Sequence, residues 1–326
     1  MLFLIWLANI ILLLTYYFRN NFIVELMISF LPYIVVFLLL IIILLICYLF
    51  IYIKKKKNRL QIILVTILLI LSFWIEYLYL TEYKWFYNRI DNDIRLQENQ
   101  QWIKVFYANI LYKNTDYNSL KEKIKQENPD IVILVEFSDE HEDEMKEFFK
   151  ETYPYMNRNS RSSMLAWDVV FSKIPIENIT ETHLVELWSW NYSYMKVFCE
   201  ECWSWVDLYV IHTAAPVSTK NFEMRNSQIS KLKSDFMKND SNDKTIIIWD
   251  FNLSPWSYYY KQLTDDRYML NALSYQSPNY TWSLFKHKIF RSHIDQLFIS
   301  QWIKISEVNI EDLVGSDHRS FTFYFK

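Results

Sequence analysis

The side chains best suited to chemistry stand where short apolar runs end. Asn109 follows Ile103–Ala108, Glu136 follows Ile131–Val135 and His212 follows Val206–Ile211. Asp250 and Asn252 follow Ile246–Ile248, while Asp295 and the pair Asp317–His318 come late in the chain. Taken singly, each is most often a cap or a surface polar group. Jointly they are hard oxygen donors and imidazoles that strand ends can bring to one place. Such a set suits Mg2+ or Mn2+ and phosphate esters, where a divalent cation neutralises charge and orients the attack.

The elements that must position them alternate from about residue 100 onward. Strands are predicted at Ile103–Ala108, Ile131–Val135, Val169–Phe171, Tyr194–Phe198, Val206–Ile211, Ile246–Ile248, Leu297–Ile299 and Phe321–Phe325. Amphipathic helices are predicted at Tyr117–Glu127 and Lys220–Met237, with Arg225 and Gln228 on one face of the longer one. Short apolar runs alternating with helical periodicity indicate an α/β order.

Several stretches fall in a recognisable sequence: Tyr107-Ala108-Asn109-Ile110, Pro129 to Glu136, Ser172-Lys173-Ile174-Pro175-Ile176, Ile211-His212-Thr213, Trp249-Asp250-Phe251-Asn252, Thr281-Trp282, Ile294-Asp295 and Gly315-Ser316-Asp317-His318. In this order the chain resembles the endonuclease/exonuclease/phosphatase superfamily. The run Asp250 to Ser257, with apolar segments far upstream, looks most like its bacterial membrane-anchored branch. The resemblance implies a four-layered α/β sandwich, two packed β-sheets flanked by helices, with one cleft at an edge. It implies Glu136 as principal metal ligand with Asn109 beside it and Asp317 in support. It further implies that Asp250 positions or deprotonates the attacking water and Asn252 holds the phosphate. His318, oriented by Asp295, would contact the phosphoryl group, with His212 near the scissile phosphate. Arg225 and Gln228 match a family pattern and are read as structural.

The first eighty residues belong to a different solvent. Met1–Phe18, Phe22–Ile53 and Leu60–Leu80 are each long enough to span a bilayer, the second interrupted only by Glu25 and a potential kink at Pro32. The first lacks the basic start and small-residue cleavage site of a signal peptide. Three spans therefore make a membrane anchor over 1–82, a connector over 83–100 and a catalytic domain over 101–326. Lys54-Lys55-Lys56-Lys57-Asn58-Arg59 is a basic loop between two spans, which places it in the cytoplasm and the catalytic domain outside.

Of 34 basic and 37 acidic residues, 25 and 31 lie beyond position 100. That mildly acidic part carries no basic stripe for duplex DNA, which favours a lipid headgroup or soluble phosphate ester over a nucleic acid. A nuclease of the same fold is the second reading. Cys199 and Cys202 lack the further ligands of a zinc site and read as thiols or a local disulfide in a hairpin. His141, in an acidic helix, and His183, His287 and His293, in loops, read as structural.

Trp249 is the main departure, because the family pattern has glycine before Asp250. The chain has 1 glycine and 13 tryptophans, whereas average usage gives about 7% glycine. An AT-rich gene would suppress both residues. The pattern instead predicts UGA codons, meaning glycine in the source, at Trp167, Trp203, Trp205 and Trp249, and at Trp102, Trp188, Trp190 and Trp302; Trp256 and Trp282 fit genuine family tryptophans. If the Trp249 indole were native and filled the cleft, the chain would be a catalytically dead, membrane-tethered binding module.

Overall fold

The computed structural model describes residues 2–54, 59–87, 102–158, 166–178, 182–185, 190–200, 204–236, 244–260, 269–275, 280–284 and 290–326. Most of the lysine loop, the segment before residue 102, Cys202, Trp188, Trp203 and His287 lie outside them. The chain forms two compact units, Met1–Asn88 with Pro255–Tyr258, and Arg89–Ser254 with Tyr259–Lys326.

The first unit holds helices α1 (Leu2–Tyr17), α2 (Phe22–Ile28), α3 (Leu31–Lys54) and α4 (Arg59–Tyr87). Two are long and apolar enough to cross a bilayer, Leu31–Lys54 and Arg59–Thr81. The apolar run starting at Phe22 is not one span as its composition suggested: it breaks at Ser29, where α2 is capped, and α3 starts with Pro32 in its first turn. There proline needs no intrahelical partner and makes no kink. Helices α1 and α2 meet at 105°, so a third span exists only if the bent pair counts as one. Ser72 on α4 donates to Asn9 Oδ1 on α1 (3.1 Å), and the Tyr79 hydroxyl donates to the Leu12 carbonyl (2.8 Å). Polar contacts of this kind hold helices together where hydrocarbon gives no hydrophobic drive.

The second unit begins β1 (Ile103–Asn109), α5 (Tyr117–Glu127), β2 (Ile131–Phe137), α6 (Asp139–Thr152), β3 (Tyr155–Arg158) and β4 (Trp167–Ser172). It continues through β5 (Ile176–Asn178), β6 (Thr182–Val185), β7 (Trp190–Cys199), β8 (Ser204–His212), α7 (Thr219–Phe236) and β9 (Thr245–Asp250). It closes with β10 (Met269–Asn271), β11 (Trp282–Ser283), β12 (Arg291–Ser292), β13 (Asp295–Ser300), β14 (Ile305–Asp312) and β15 (Arg319–Phe325). Asp116 caps α5 by accepting from the Ser119 amide, and the Ser138–His141 capping box starts α6, which gives His141 a structural task. Cys199, at the end of β7, is disulfide-bonded.

One sheet runs β14-β15-β1-β2-β4-β3 and the other β10-β13-β9-β8-β7-β5, with β6 on β7. Within each, the central pair is parallel, β1 with β2 and β8 with β9, while the neighbouring strands run antiparallel. Each parallel pair needs a crossover, supplied by α5 and α7. Alternation sorts the side chains: Val105, Ile131, Ile133, Val210, Ile246 and Ile248 share one core cluster drawn from both sheets. Phe106, Val132, Leu134 and Val169 share another with Leu120 of α5 and Met145 and Phe149 of α6. Two sheets face to face with helices outside make the four-layered α/β sandwich.

Candidate active site

Asn109, Glu136, His212 and Asp250 occupy the carboxyl ends of the four parallel strands. Asp295 opens antiparallel β13, in register with Asp250, and His318 immediately precedes antiparallel β15. Opposed strand directions thus bring ends and beginnings to the same edge, as an α/β sheet does with its ligand crevice.

Two of these residues sit in strained backbone. Glu136 has φ 61°, where β2 shifts register against β4 between Leu134 and Phe137, and Asn252 has φ 49°. Asparagine tolerates the left-handed region, but glutamate there costs about 1 kcal/mol or more. The bulge turns Glu136 out of the strand alternation and into the site. The single glycine, Gly315, also has positive φ (83°), and a Cβ there would lie 2.0 Å from Asn114 Oδ1. The turn it opens is tied to β1: Ser316 Oγ donates to the Asn109 carbonyl (2.8 Å) and accepts from the His318 amide (3.0 Å).

Asn109 is the hub. Its Nδ2 donates to Glu136 Oε1 (3.1 Å) and to Asp250 Oδ2 (2.9 Å), and its Oδ1 accepts from the Leu111 amide (3.0 Å). The amide nitrogen, rather than the oxygen, therefore faces the carboxylates. Glu136 Oε2 accepts from the Tyr112 amide (3.1 Å). His318 lies with Nδ1 2.9 Å from Asp295 Oδ2 and Nε2 3.7 Å from Asp250 Oδ2. His212 Nε2 stands 3.8 Å from Asp250 Oδ2 and 4.0 Å from Glu136 Oε1. Asn252 donates its backbone N–H to Asp250 Oδ1 (3.0 Å) and its side chain to the Thr213 carbonyl (3.0 Å). Buried Arg225 donates to the Asn252 carbonyl and Gln228 accepts from the Ala214 amide, so both brace the site's loops. Asp317 is exposed, its Oδ2 accepting from the Trp282 indole (2.9 Å).

Charge divides unevenly across this edge. Burial works against ionisation of Glu136, but His212, the Asn109 amide and His318 outweigh it and hold its pKa below the ordinary value. Burial and the nearby Asp295 push Asp250 up to about 6, against the pull of His318 and His212. For His318 burial disfavours the cation, yet Asp295 and Asp250 prevail and raise it to about 10.

Two residues that strand-end reasoning passed over belong here. Tyr107 donates to Asp295 Oδ1 (2.9 Å) from full burial. Asp168 is also fully buried, 3.9 Å from His212 Nδ1, and burial raises it to about 7. Neither of its oxygens has a hydrogen-bond partner among the described residues. The signal for Asp168 was a carboxylate inside an otherwise apolar strand. Trp249 lies on the opposite face of β9 from Asp250, stacked on Phe251 with ring centroids 3.4 Å apart. It is 1% exposed, and its indole N–H has no acceptor among the described residues. The indole points away from the carboxylates, which removes the structural basis for a blocked, catalytically dead cleft.

The sequence model of the endonuclease/exonuclease/phosphatase family matches residues 106–318, the span that holds every residue of this cluster. The chain belongs to that family. Solved structures agree at the level of fold. The human Nocturnin catalytic domain with bound sulfate has 16% identity and a TM-score of 0.57, over 71% of this chain and 95% of that one. A humanized D. rerio TDP2 has 13% identity and a TM-score of 0.56, over 69% and 99%. A mannosyl-6-phosphatase of Bacteroides thetaiotaomicron has 14% identity and a TM-score of 0.54, again over 69% and 99%. A search of curated proteins gives no match. Membership makes a phosphoric-ester hydrolase the coarse reading of the site, and family enzymes generally use a divalent metal.

The residues present fit such a cation in their donor chemistry. Glu136 is held ionised at the edge of the site. Asp250, Asp295 and His318 also offer ligand atoms within 4.8 Å of one another. In that second group both Asp295 oxygens already accept bonds, from Tyr107 and His318. Both Glu136 oxygens accept bonds as well, from Asn109 and the Tyr112 amide, so what sets Glu136 apart as a cation seat is its access to solvent, with 21% of its side chain exposed against 0% for Asp295.

Proposed function

We propose that this family member is a membrane-anchored, divalent-metal-dependent phosphodiesterase or phosphatase whose catalytic unit lies outside the cytoplasm. The observation that carries the chemistry is the convergence of Asn109, Glu136, His212, Asp250, Asp295 and His318 at one edge shared by the two sheets, with Asp250 at its centre. Glu136 would hold Mg2+ or Mn2+, which when bound supplies positive charge against the phosphate oxygens, while the Asn109 amide, donating to Glu136 and Asp250, orients those carboxylates. Asp250 takes the proton of the attacking water, its pKa of about 6 leaving it a base at neutral pH. His318, cationic and braced by Asp295, stabilises charge on the phosphoryl oxygens. His212 stands on the other side of Asp250, near the scissile phosphate, and Asn252 holds that group in place.

The side of the membrane follows from the basic loop after α3, which stays cytoplasmic, and from α4, which crosses once more. This holds whether α1 and α2 span or not. The disulfide at Cys199 supports an oxidising compartment. The mild acidity of the catalytic part supports a lipid headgroup or small phosphate ester over DNA or RNA.

Full-length protein in detergent, assayed with Mg2+ or Mn2+ against bis(p-nitrophenyl) phosphate, p-nitrophenyl phosphate, phospholipid vesicles and plasmid DNA, tests the activity and its class. Hydrolysis of the esters or lipids that chelator abolishes is expected; preferential cleavage of plasmid would move the protein to the nuclease reading. Protease added to intact cells with a permeable envelope surface should digest the catalytic unit. Digestion only after the cytoplasm is opened would reverse the orientation.

A further inference from the structure

The inner face of the first sheet is aliphatic along β1 and β2 until Tyr107, whose ring stacks on Phe321 of β15 (4.6 Å between centroids). A phenol buried this deeply needs a partner for its hydroxyl. It finds one in the other sheet, at Asp295 Oδ1 (2.9 Å), the first residue of β13. The opposite oxygen of that carboxylate meets His318 Nδ1 (2.9 Å), and the Asp295 amide is tied to Thr281 Oγ1 (3.0 Å). A carboxylate turns easily about its terminal torsion, so two fixed partners are what lock its plane.

We infer that Tyr107 is a positioning residue for the proposed hydrolysis, its hydroxyl fixing Asp295 so that Asp295 in turn aims His318 at the reacting phosphate; this rests on His318 acting there. Tyr107 is fully buried and acts through Asp295. The bond also joins the two sheets at their catalytic edge, as Asn109 to Asp250 does. Losing the hydroxyl leaves Asp295 Oδ1 buried without that donor and frees the carboxylate plane, while the ring and its stacking on Phe321 stay.

The test is Tyr107→Phe in full-length protein, alone and combined with His318→Ala. One neutral-to-charged hydrogen bond corresponds to a fall in kcat of about ten-fold, with KM and the metal concentration for half-maximal rate unchanged. In the His318→Ala background the same change should add no further loss, because the imidazole it positions is gone. Losses that multiply in the double variant, or an unchanged kcat in Tyr107→Phe alone, overturn the inference. A readout independent of turnover is the Nδ1 proton resonance of His318 in 15N-histidine-labelled protein, which should shift in Tyr107→Phe and stay put if the hydroxyl is mere filling. Absence of metal-dependent hydrolysis in the wild type would sink the enzymatic reading, while the resonance would still decide whether Tyr107 controls His318.

Discussion

The crossovers β1–α5–β2 and β8–α7–β9 are built alike. Each joins two parallel strands through one helix, and each ends its strands with two polar residues, Asn109 and Glu136 in one sheet, His212 and Asp250 in the other. Their electrostatics nevertheless diverge. Glu136 meets an amide, a backbone N–H and an imidazole, and is held as an anion. Asp250, fully buried and sharing its surroundings with Asp295, is pushed up to about 6. Topology delivers a carboxylate to the edge twice, and the surroundings keep one charged while pushing the other toward neutrality, the division on which the proposed mechanism rests.

That division is broken most severely at the base. Asp250→Asn should cut kcat by about 1,000-fold, within the range for a positioned general base, while leaving the metal requirement close to that of wild type. Glu136→Gln should lower activity and weaken metal dependence together, because a neutral amide donates less to a hard cation. His318→Ala comes next, with about 100-fold slower turnover and metal binding largely intact. Asp295→Asn should lose less than His318→Ala, since it removes the orienting charge and leaves the imidazole. Steady-state kinetics with metal titration for each variant separates these cases.

The pH profile sharpens the same contrast. Asp250 must be ionised to accept a proton, so kcat should fall as pH drops through about 6. His318 must be protonated to stabilise the phosphoryl oxygens, so activity should fall as pH rises through about 10. Asp250→Asn should abolish the acid limb, and His318→Ala the alkaline one.

Much of this was legible in the sequence because strand ends carry a signal. Helix α5 falls at the predicted residues because Asp116 supplies a cap and Leu120 and Ile124 an inward stripe. All eight predicted strands are present and each extends a residue or more beyond its apolar centre, β1, β2, β8, β9 and β13 into the polar residues of the site. Strand β14 was not foreseen: it reads Ile-Ser-Glu-Val-Asn-Ile-Glu-Asp, and a register shift between Ser306 and Asn309 breaks its alternation. Tyr107 was invisible as a site residue because an aromatic in an apolar run reads as core, and only the facing sheet reveals what its hydroxyl touches. The break at Ser29 between α2 and α3 was hidden by the nearly uniform hydropathy of Phe22–Ile53.

The smallest expected effect concerns position 249. On the reading that UGA there encodes glycine, Trp249→Gly should match or exceed the tryptophan form in thermal stability and activity, and the gene should carry TGA at that codon. A native indole buried to this extent would instead lose about 3–5 kcal/mol on truncation, lowering Tm; TGG at the codon would end the idea for that site. Either result leaves the carboxylate edge standing, since the indole lies on the other face of β9.

On the proposed reading, one edge shared by the two sheets is one metal-dependent hydrolytic centre. Its most direct test is the rate of bis(p-nitrophenyl) phosphate hydrolysis, or of whichever ester wild type hydrolyses, as Mg2+ or Mn2+ is titrated into wild type, Glu136→Gln and His318→Ala. Wild type should require the metal for its rate, the Glu136→Gln curve should be both lower and shifted to higher metal, and the His318→Ala curve lower but unshifted. Full, metal-dependent activity in both variants would contradict that reading.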